Sequence, residues 1–147
     1  MSDAELIKLY STRILALAAD MPRTERLTAP TATVKRRAPL CGSTVTVDLV
    51  IKGGEVVDYG QDVKACALGQ AAASVVGRAI VGCALDQVVQ ARDELRAMLK
   101  SDGPVPSEPF DGLEVLIPAR DYKNRHDSVM LALNASVQAI EEATSAA

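Results

Sequence analysis

At 147 residues and 48% hydrophobic content, the chain is long enough for one domain with a substantial core, and residues 1–147 read as that single domain. One Phe, three Tyr and no Trp make the core aliphatic, mostly Ala, Val, Leu and Ile. A net charge of −3 argues against a nucleic-acid binder, which carries a basic stripe, and three cysteines at irregular spacing are a poor disulfide framework and fit a reduced, cytoplasmic setting.

The acidic start Met1-Ser2-Asp3-Ala4-Glu5 does not read as a signal peptide. No apolar run approaches the ~18 residues of a membrane helix. Residues 3–19 have helical spacing, with Leu6, Ile7, Tyr10, Ile14, Leu17 and Ala18 on one face. Met21-Pro22 ends that helix, because the residue before proline avoids the helical region. Residues 24–30 form a polar loop.

Three short strands are predicted next. Residues 31–38 are rich in Thr and Val but carry Lys35, Arg36 and Arg37, which marks an exposed or edge strand. The same triplet is either a solvated face or a small docking patch for an acidic partner. Pro39 and Gly42 make the segment around Cys41 a turn. Residues 44–51 alternate, with Val45, Val47, Leu49 and Ile51 on one face and Thr44, Thr46 and Asp48 on the other, the pattern of a half-buried strand. Gly53-Gly54 supplies a hairpin turn, and residues 55–63 return as the third strand.

From Ala67 the period becomes helical, with a stripe of Leu68, Ala71, Ala72, Val75, Val76, Ala79 and Ile80. Residues 85–100 form a further helix on Leu85, Val88, Val89, Leu95 and Leu99. Three prolines and a glycine make residues 101–109 a loop. Residues 112–118 form a short helix or an irregular segment. From His126, the positions Val129, Met130, Leu133, Val137 and Ile140 define a last amphipathic helix, and residues 143–147 are expected to fray. Strands followed by a run of helices indicate an α+β fold with a three-stranded antiparallel sheet against four to five helices.

Two cysteines occupy element ends. Cys41 lies in the turn between the first two strands, and Cys66 lies where the third strand gives way to a helix. Downstream, Arg125-His126-Asp127-Ser128 opens the last helix. Thiolates, an imidazole and a carboxylate at element ends are the groups that hold a soft or borderline metal. Other roles are open to each. A cysteine is often a small buried hydrophobe, Asp127 is a natural N-cap, and His126 could be a surface residue. Cys83 would lie about 25 Å from Cys66 along a continuous helix and reads as packing.

With these motifs in hand, the chain over residues 5–142 resembles the iron–sulfur cluster scaffold family of NifU N-terminal, IscU-like and SufU-like domains. Met21-Pro22-Arg23 is similar to the family's Asn-Pro-Arg-Asn entry motif. Ala38-Pro39-Leu40-Cys41-Gly42 resembles Pro-x-Cys-Gly-Asp, and the stretch from Cys66 to Ser74 resembles Gly-Cys-x-x-Ser-x-Ala-Ser-Ser. Gly82-Cys83-Ala84-Leu85-Asp86 stands where the family has Gly-Lys-x-Leu. Arg125-His126-Asp127 aligns with the His-Cys or Lys-Cys that supplies a third thiolate. The chain departs from the pattern at Ser43 (Asp in the family), Ala65 (Gly) and Asp127 (Cys). Leu116-Ile117-Pro118-Ala119-Arg120 is a poor match to the Leu-Pro-Pro-Val-Lys chaperone segment, and the SufU-like branch is the nearer one.

The resemblance implies a non-enzymatic scaffold that binds iron or a transient [2Fe–2S]-type cluster and transfers it to apo-proteins. Cys41, Cys66, Asp127 and His126 are the implied ligands, and a cysteine desulfurase is the implied sulfur donor. The implied protein is a monomer or weak homodimer, without nucleic-acid or membrane partners. An alternative is a sulfur acceptor acting with the desulfurase, with zinc as the resting metal and Cys66 as the acceptor at a helix start. A third reading is a paralogue that keeps the fold without the chemistry, because the third cysteine is missing.

Overall fold

The computed structural model describes residues 3–146, with side chains at Lys8 and from Tyr10 to Ser145. In chain order the elements are α1 (Asp3–Ala19), β1 (Ala32–Arg37), β2 (Thr44–Lys52), β3 (Glu55–Lys64), α2 (Ala67–Ala79), α3 (Leu85–Lys100), 3₁₀ segments at Asp111–Asp121 and Lys123–Arg125, and α4 (His126–Ala146). The fold is α+β, as the element order predicts. The expected contacts of Leu6 and Ile7 lie outside the described side chains. None of the described helices is long and apolar enough to cross a membrane.

The sheet is antiparallel in the order β1-β2-β3, so the basic strand β1 lies at an edge. Its register pairs Arg37 with Thr44, and Thr44 in turn with Lys64. Consequently the β1–β2 loop and the exit of β3 lie at the same end of the sheet. The alternation in β2 holds on the inner face, where Val45, Val47 and Leu49 are buried. Burying each such side chain is worth about 1.5–3 kcal/mol.

Asp48 differs from expectation. It lies on the outer face yet is fully buried, because the loop after α1 crosses the strand there. Arg26 donates to its carboxylate at 2.6 and 3.1 Å, Thr33 Oγ1 at 2.6 Å and the Leu27 amide at 3.1 Å. A buried carboxylate needs such donors, and here they tie the polar loop to the sheet.

α4 also differs from a simple amphipathic helix. Val129, Met130, Leu133, Val137 and Ile140 are buried as expected, but so are Leu131, Ala132, Ala135, Ser136 and Ala139. The helix is central: it packs on β1 and β2 and against α2 and α3. Its small residues permit that enclosure. Ser136 is accommodated by donating to the Ala132 carbonyl at 2.7 Å and by its hydroxyl pairing with Tyr59 at 3.0 Å. The stretch expected to be short or irregular is a longer 3₁₀ segment reaching Asp121, with Pro118 inside it. Proline has no amide hydrogen and clashes with the carbonyl four residues back, which disfavours a regular α-helix there.

Candidate functional site

The β1–β2 loop is closed by the Ala38 amide donating to the Ser43 carbonyl at 2.8 Å and the Gly42 amide donating to the Ala38 carbonyl at 2.9 Å. Gly42 takes φ +71°, a conformation that costs glycine little, and this lets the chain reverse just after Cys41. Cys66 is the extended N-cap residue of α2, and its side chain makes no capping bond, which leaves the thiol available. The Gln70 side chain donates to the Ala65 carbonyl at 2.9 Å and braces that corner.

The N-terminus of α4 closes the site. A Cβ on Gly69 would overlap the Ser128 hydroxyl and stand 2.9 Å from Ala65 Cβ, so the bare glycine lets α2 and α4 approach. Ser128 and Ser43 are both buried. Ser128 Oγ donates to Ser43 Oγ at 3.0 Å, Ser43 Oγ lies 3.2 Å from Cys41 Sγ, and Ser128 Oγ lies 3.5 Å from Cys66 Sγ. Two half-buried thiols are thus joined through two hydroxyls.

The direction of the bonds follows from proton supply. A hydroxyl has one proton, and Ser128 gives its proton to Ser43. Ser128 therefore accepts from Cys66, and Ser43 keeps its own proton, which it donates to Cys41 when that thiol is deprotonated. The Cys41 thiol is held below its ordinary pKa, first by the Ser43 side chain and then by the Ser43 backbone amide, with Ser128 and the Arg125 guanidinium adding to them against the opposing effect of burial.

The structure brings Cys41 and Cys66 together but not His126 or Asp127. His126 is buried, with Nε2 2.9 Å from the Ala119 carbonyl and 3.2 Å from the Arg120 carbonyl. Carbonyls only accept, so Nε2 carries the proton and the ring straps the end of the 3₁₀ segment. Asp127 is exposed in the first turn of α4, where its charge complements the helix dipole. Among the described residues no three of His, Cys, Asp or Glu gather as a metal cluster. Of the four residues that the resemblance implies, the two thiols meet through the hydroxyls of Ser43 and Ser128, while His126 turns to the 3₁₀ segment and Asp127 to the surface. Cys83 is buried beyond the end of α2, its thiol donating to the Ala79 carbonyl at 3.4 Å, and burial pushes that thiol up. The sequence reading passed over Ser43, Ser128 and Arg125 as site members. One signal was present: Arg125 and Ser128 are three residues apart, the spacing that shares a helical face.

The model of the NifU-like N terminal domain matches residues 9–142. No curated protein matches the chain. Among solved structures, the N-terminal part of a nitrogen-fixing NifU-like protein from Brucella abortus is 41% identical, with 97% of this chain and 99% of that chain covered and a TM-score of 0.92. A candidate iron–sulfur cluster assembly scaffold protein for the SUF system from the thermophile Fervidobacterium islandicum AW-1 shares the fold at 18% identity, covering 90% of this chain and 97% of that chain with a TM-score of 0.78. By sequence over nearly its whole length and by fold, the chain belongs to the NifU-like N-terminal domain family.

Proposed function

We propose that this protein is a scaffold for iron–sulfur cluster assembly. It receives sulfur from a cysteine desulfurase, gathers iron, and passes a [2Fe–2S]-type cargo to apo-proteins, with Cys41 and Cys66 as thiolate ligands. The observation that carries the reading is the meeting of the two half-buried thiols at one end of the sheet, bridged by Ser43 and Ser128. Family membership and the function assigned to the Fervidobacterium neighbour support it. Ligation needs a deprotonated thiol, and the donors around Cys41 favour that state. Partial exposure keeps both thiols accessible for loading and release. The protein binds and hands on its cargo without turnover of its own.

A sulfur-relay role is the second reading, favoured by the lowered Cys41 thiol. The Cys41 thiolate would attack the outer sulfur of a desulfurase persulfide, forming a Cys41 persulfide and freeing the desulfurase thiolate. In this reading the acceptor is Cys41, where the sequence reading had Cys66. A resting zinc ion does not fit the donor set of one chain, because hydroxyls are poor substitutes for the thiolate, imidazole or carboxylate ligands of a four-coordinate site.

The test is iron and acid-labile sulfide analysis, with an absorption spectrum, on protein purified without oxygen. Equal iron and sulfide with visible charge-transfer bands are expected, and Cys41→Ser and Cys66→Ser should each abolish retention. Unchanged retention in both variants would overturn the ligand assignment.

A further inference from the structure

We infer that the open edge of β1 takes up an extended acidic segment of another protein as an added strand, with carboxylates at alternate positions of that segment set against Lys35 and Arg37. This edge is not part of the thiol site, and the scaffold reading does not depend on it. The two edges of the sheet are β1 and β3, and they are finished differently. The edge of β3 is covered: the Gln61 amide donates to the Arg23 carbonyl at 2.8 Å, the Val56 amide to the Cys83 carbonyl at 2.9 Å, and the Gly82 amide to the Val56 carbonyl at 2.7 Å. The edge of β1 has no such cover among the described residues. The Ala38 amide meets the Ser43 carbonyl and β1 continues in the same register, so Ala32, Val34 and Arg36 direct their main-chain groups to β2. The amides and carbonyls of Thr33, Lys35 and Arg37 therefore point away from the sheet. Such a row is a template on which an extended chain can pair.

The charges along this edge select the partner. Lys35, Arg36 and Arg37 are all exposed. Lys35 and Arg37 stand opposite Thr46 and Thr44 on the outer face of the sheet, while Arg36 lies on the α4 side and donates to Gln138 Oε1 at 2.9 Å. On the elements packed against β1, the acidic groups are Asp48 on β2 and Asp127, Glu141 and Glu142 on α4, and Asp62 lies one strand further away opposite Thr46. Asp48 is taken by Arg26. None of these carboxylates forms an ion pair with Lys35, Arg36 or Arg37 among the described residues. Two copies joined edge to edge through β1 would bring their basic triplets together, which is unfavourable. A segment with a carboxylate at every second position places them all on one face, opposite Lys35 and Arg37. Its intervening positions fall on the α4 side beside Arg36 and Gln138, where polar residues suit.

The probe is an end-blocked eight-residue peptide of alternating glutamate and threonine, with a lysine-for-glutamate twin as control. Binding to the full chain, without metal, is followed by backbone amide NMR and amide hydrogen exchange. The glutamate peptide alone is expected to bind, with exchange slowed at Thr33, Lys35 and Arg37 and unchanged at Val34 and Arg36, whose amides already face β2. Salt should weaken the binding. Lys35→Glu/Arg37→Glu changes only exposed side chains and should weaken it by about tenfold. Lys35→Gln and Lys35→Pro both remove a charge, but only proline also removes an outward amide, which an edge strand tolerates. The proline variant should therefore bind more weakly than the glutamine variant.

Equal binding of the two peptides, or no change at any amide with millimolar glutamate peptide, would overturn the proposal. Changes confined to Asp62 and Lys64 would put the contact on the outer face of the sheet and overturn pairing at the edge. Equal affinity of the glutamine and proline variants, both folded by circular dichroism, would overturn main-chain pairing. A dimer of the chain alone in sedimentation velocity, with slowed exchange at Thr33, Lys35 and Arg37, would overturn the acidic partner in favour of a second copy. Each of these outcomes leaves the scaffold reading standing, because no cargo is present.

Discussion

Ser43 stands between a proton donor and a sulfur, and its value to the site lies in one hydrogen. It takes a bond from Ser128 and keeps its own proton to donate to a Cys41 thiolate. Removing that hydroxyl should return the Cys41 thiol towards its ordinary range. In Ser43→Ala, the alkylation rate of Cys41 followed by mass spectrometry against pH should move to higher pH, because the thiolate loses its largest stabilising donor. A profile unchanged from wild type would mean that the backbone and Arg125 suffice. The sequence set Cys41 and Cys66 at element ends, and the family resemblance implied them as ligands. It could not mark Ser43 and Ser128 as their neighbours, because serine is common at turns and helix starts for local backbone reasons.

At the scale of elements, the site depends on how closely α2 and α4 approach. Gly69 faces Ser128 with no room for a methyl group. Gly69→Ala should push the N-terminus of α4 away from Cys66 and lower stability by about 1–3 kcal/mol through overpacking. Alanine favours helix by up to ~1 kcal/mol over glycine, so a net gain in thermal stability would show that the helices can part at no cost. Retained cluster binding in a folded Gly69→Ala protein would show that the Cys66–Ser128 contact is dispensable. The helices themselves were legible from their period. The near-complete enclosure of α4 was not, because a helix rich in Ala and Ser reads as amphipathic until its neighbours on every side are known.

At the scale of the whole molecule, Asp48 ties the loop after α1 to the sheet. Its carboxyl is held below the usual carboxylate range, chiefly by the hydrogen bond from Arg26, with Thr33 and the Leu27 amide adding to it against burial. A folded value below the unfolded one means that the stabilisation is fully present above about pH 4. It is lost as pH falls through the lower folded value. Asp48→Asn should cost about 2 kcal/mol at neutral pH, the usual worth of hydrogen bonds to a charged group. Its denaturant midpoint should also depend less on pH than wild type below pH 4. Parallel acid profiles for the two proteins would show that other carboxylates govern acid unfolding.

The sequence by itself determined the α+β element order, the edge position of the basic strand, the inner face of β2 and the two thiols at element ends. Each of these depends on period, turn chemistry or residue type, which act over a few neighbours along the chain. Only the tertiary structure decided that Asp48 is buried, that His126 faces the backbone carbonyls of the 3₁₀ segment, and that Ser128 meets the cysteines in place of Asp127. On a helix, adjacent side chains point about 100° apart. Which of His126, Asp127 and Ser128 reaches the thiols is therefore set by the rotation of α4 against α2 and the sheet, and that rotation is fixed by packing of residues far apart in the chain.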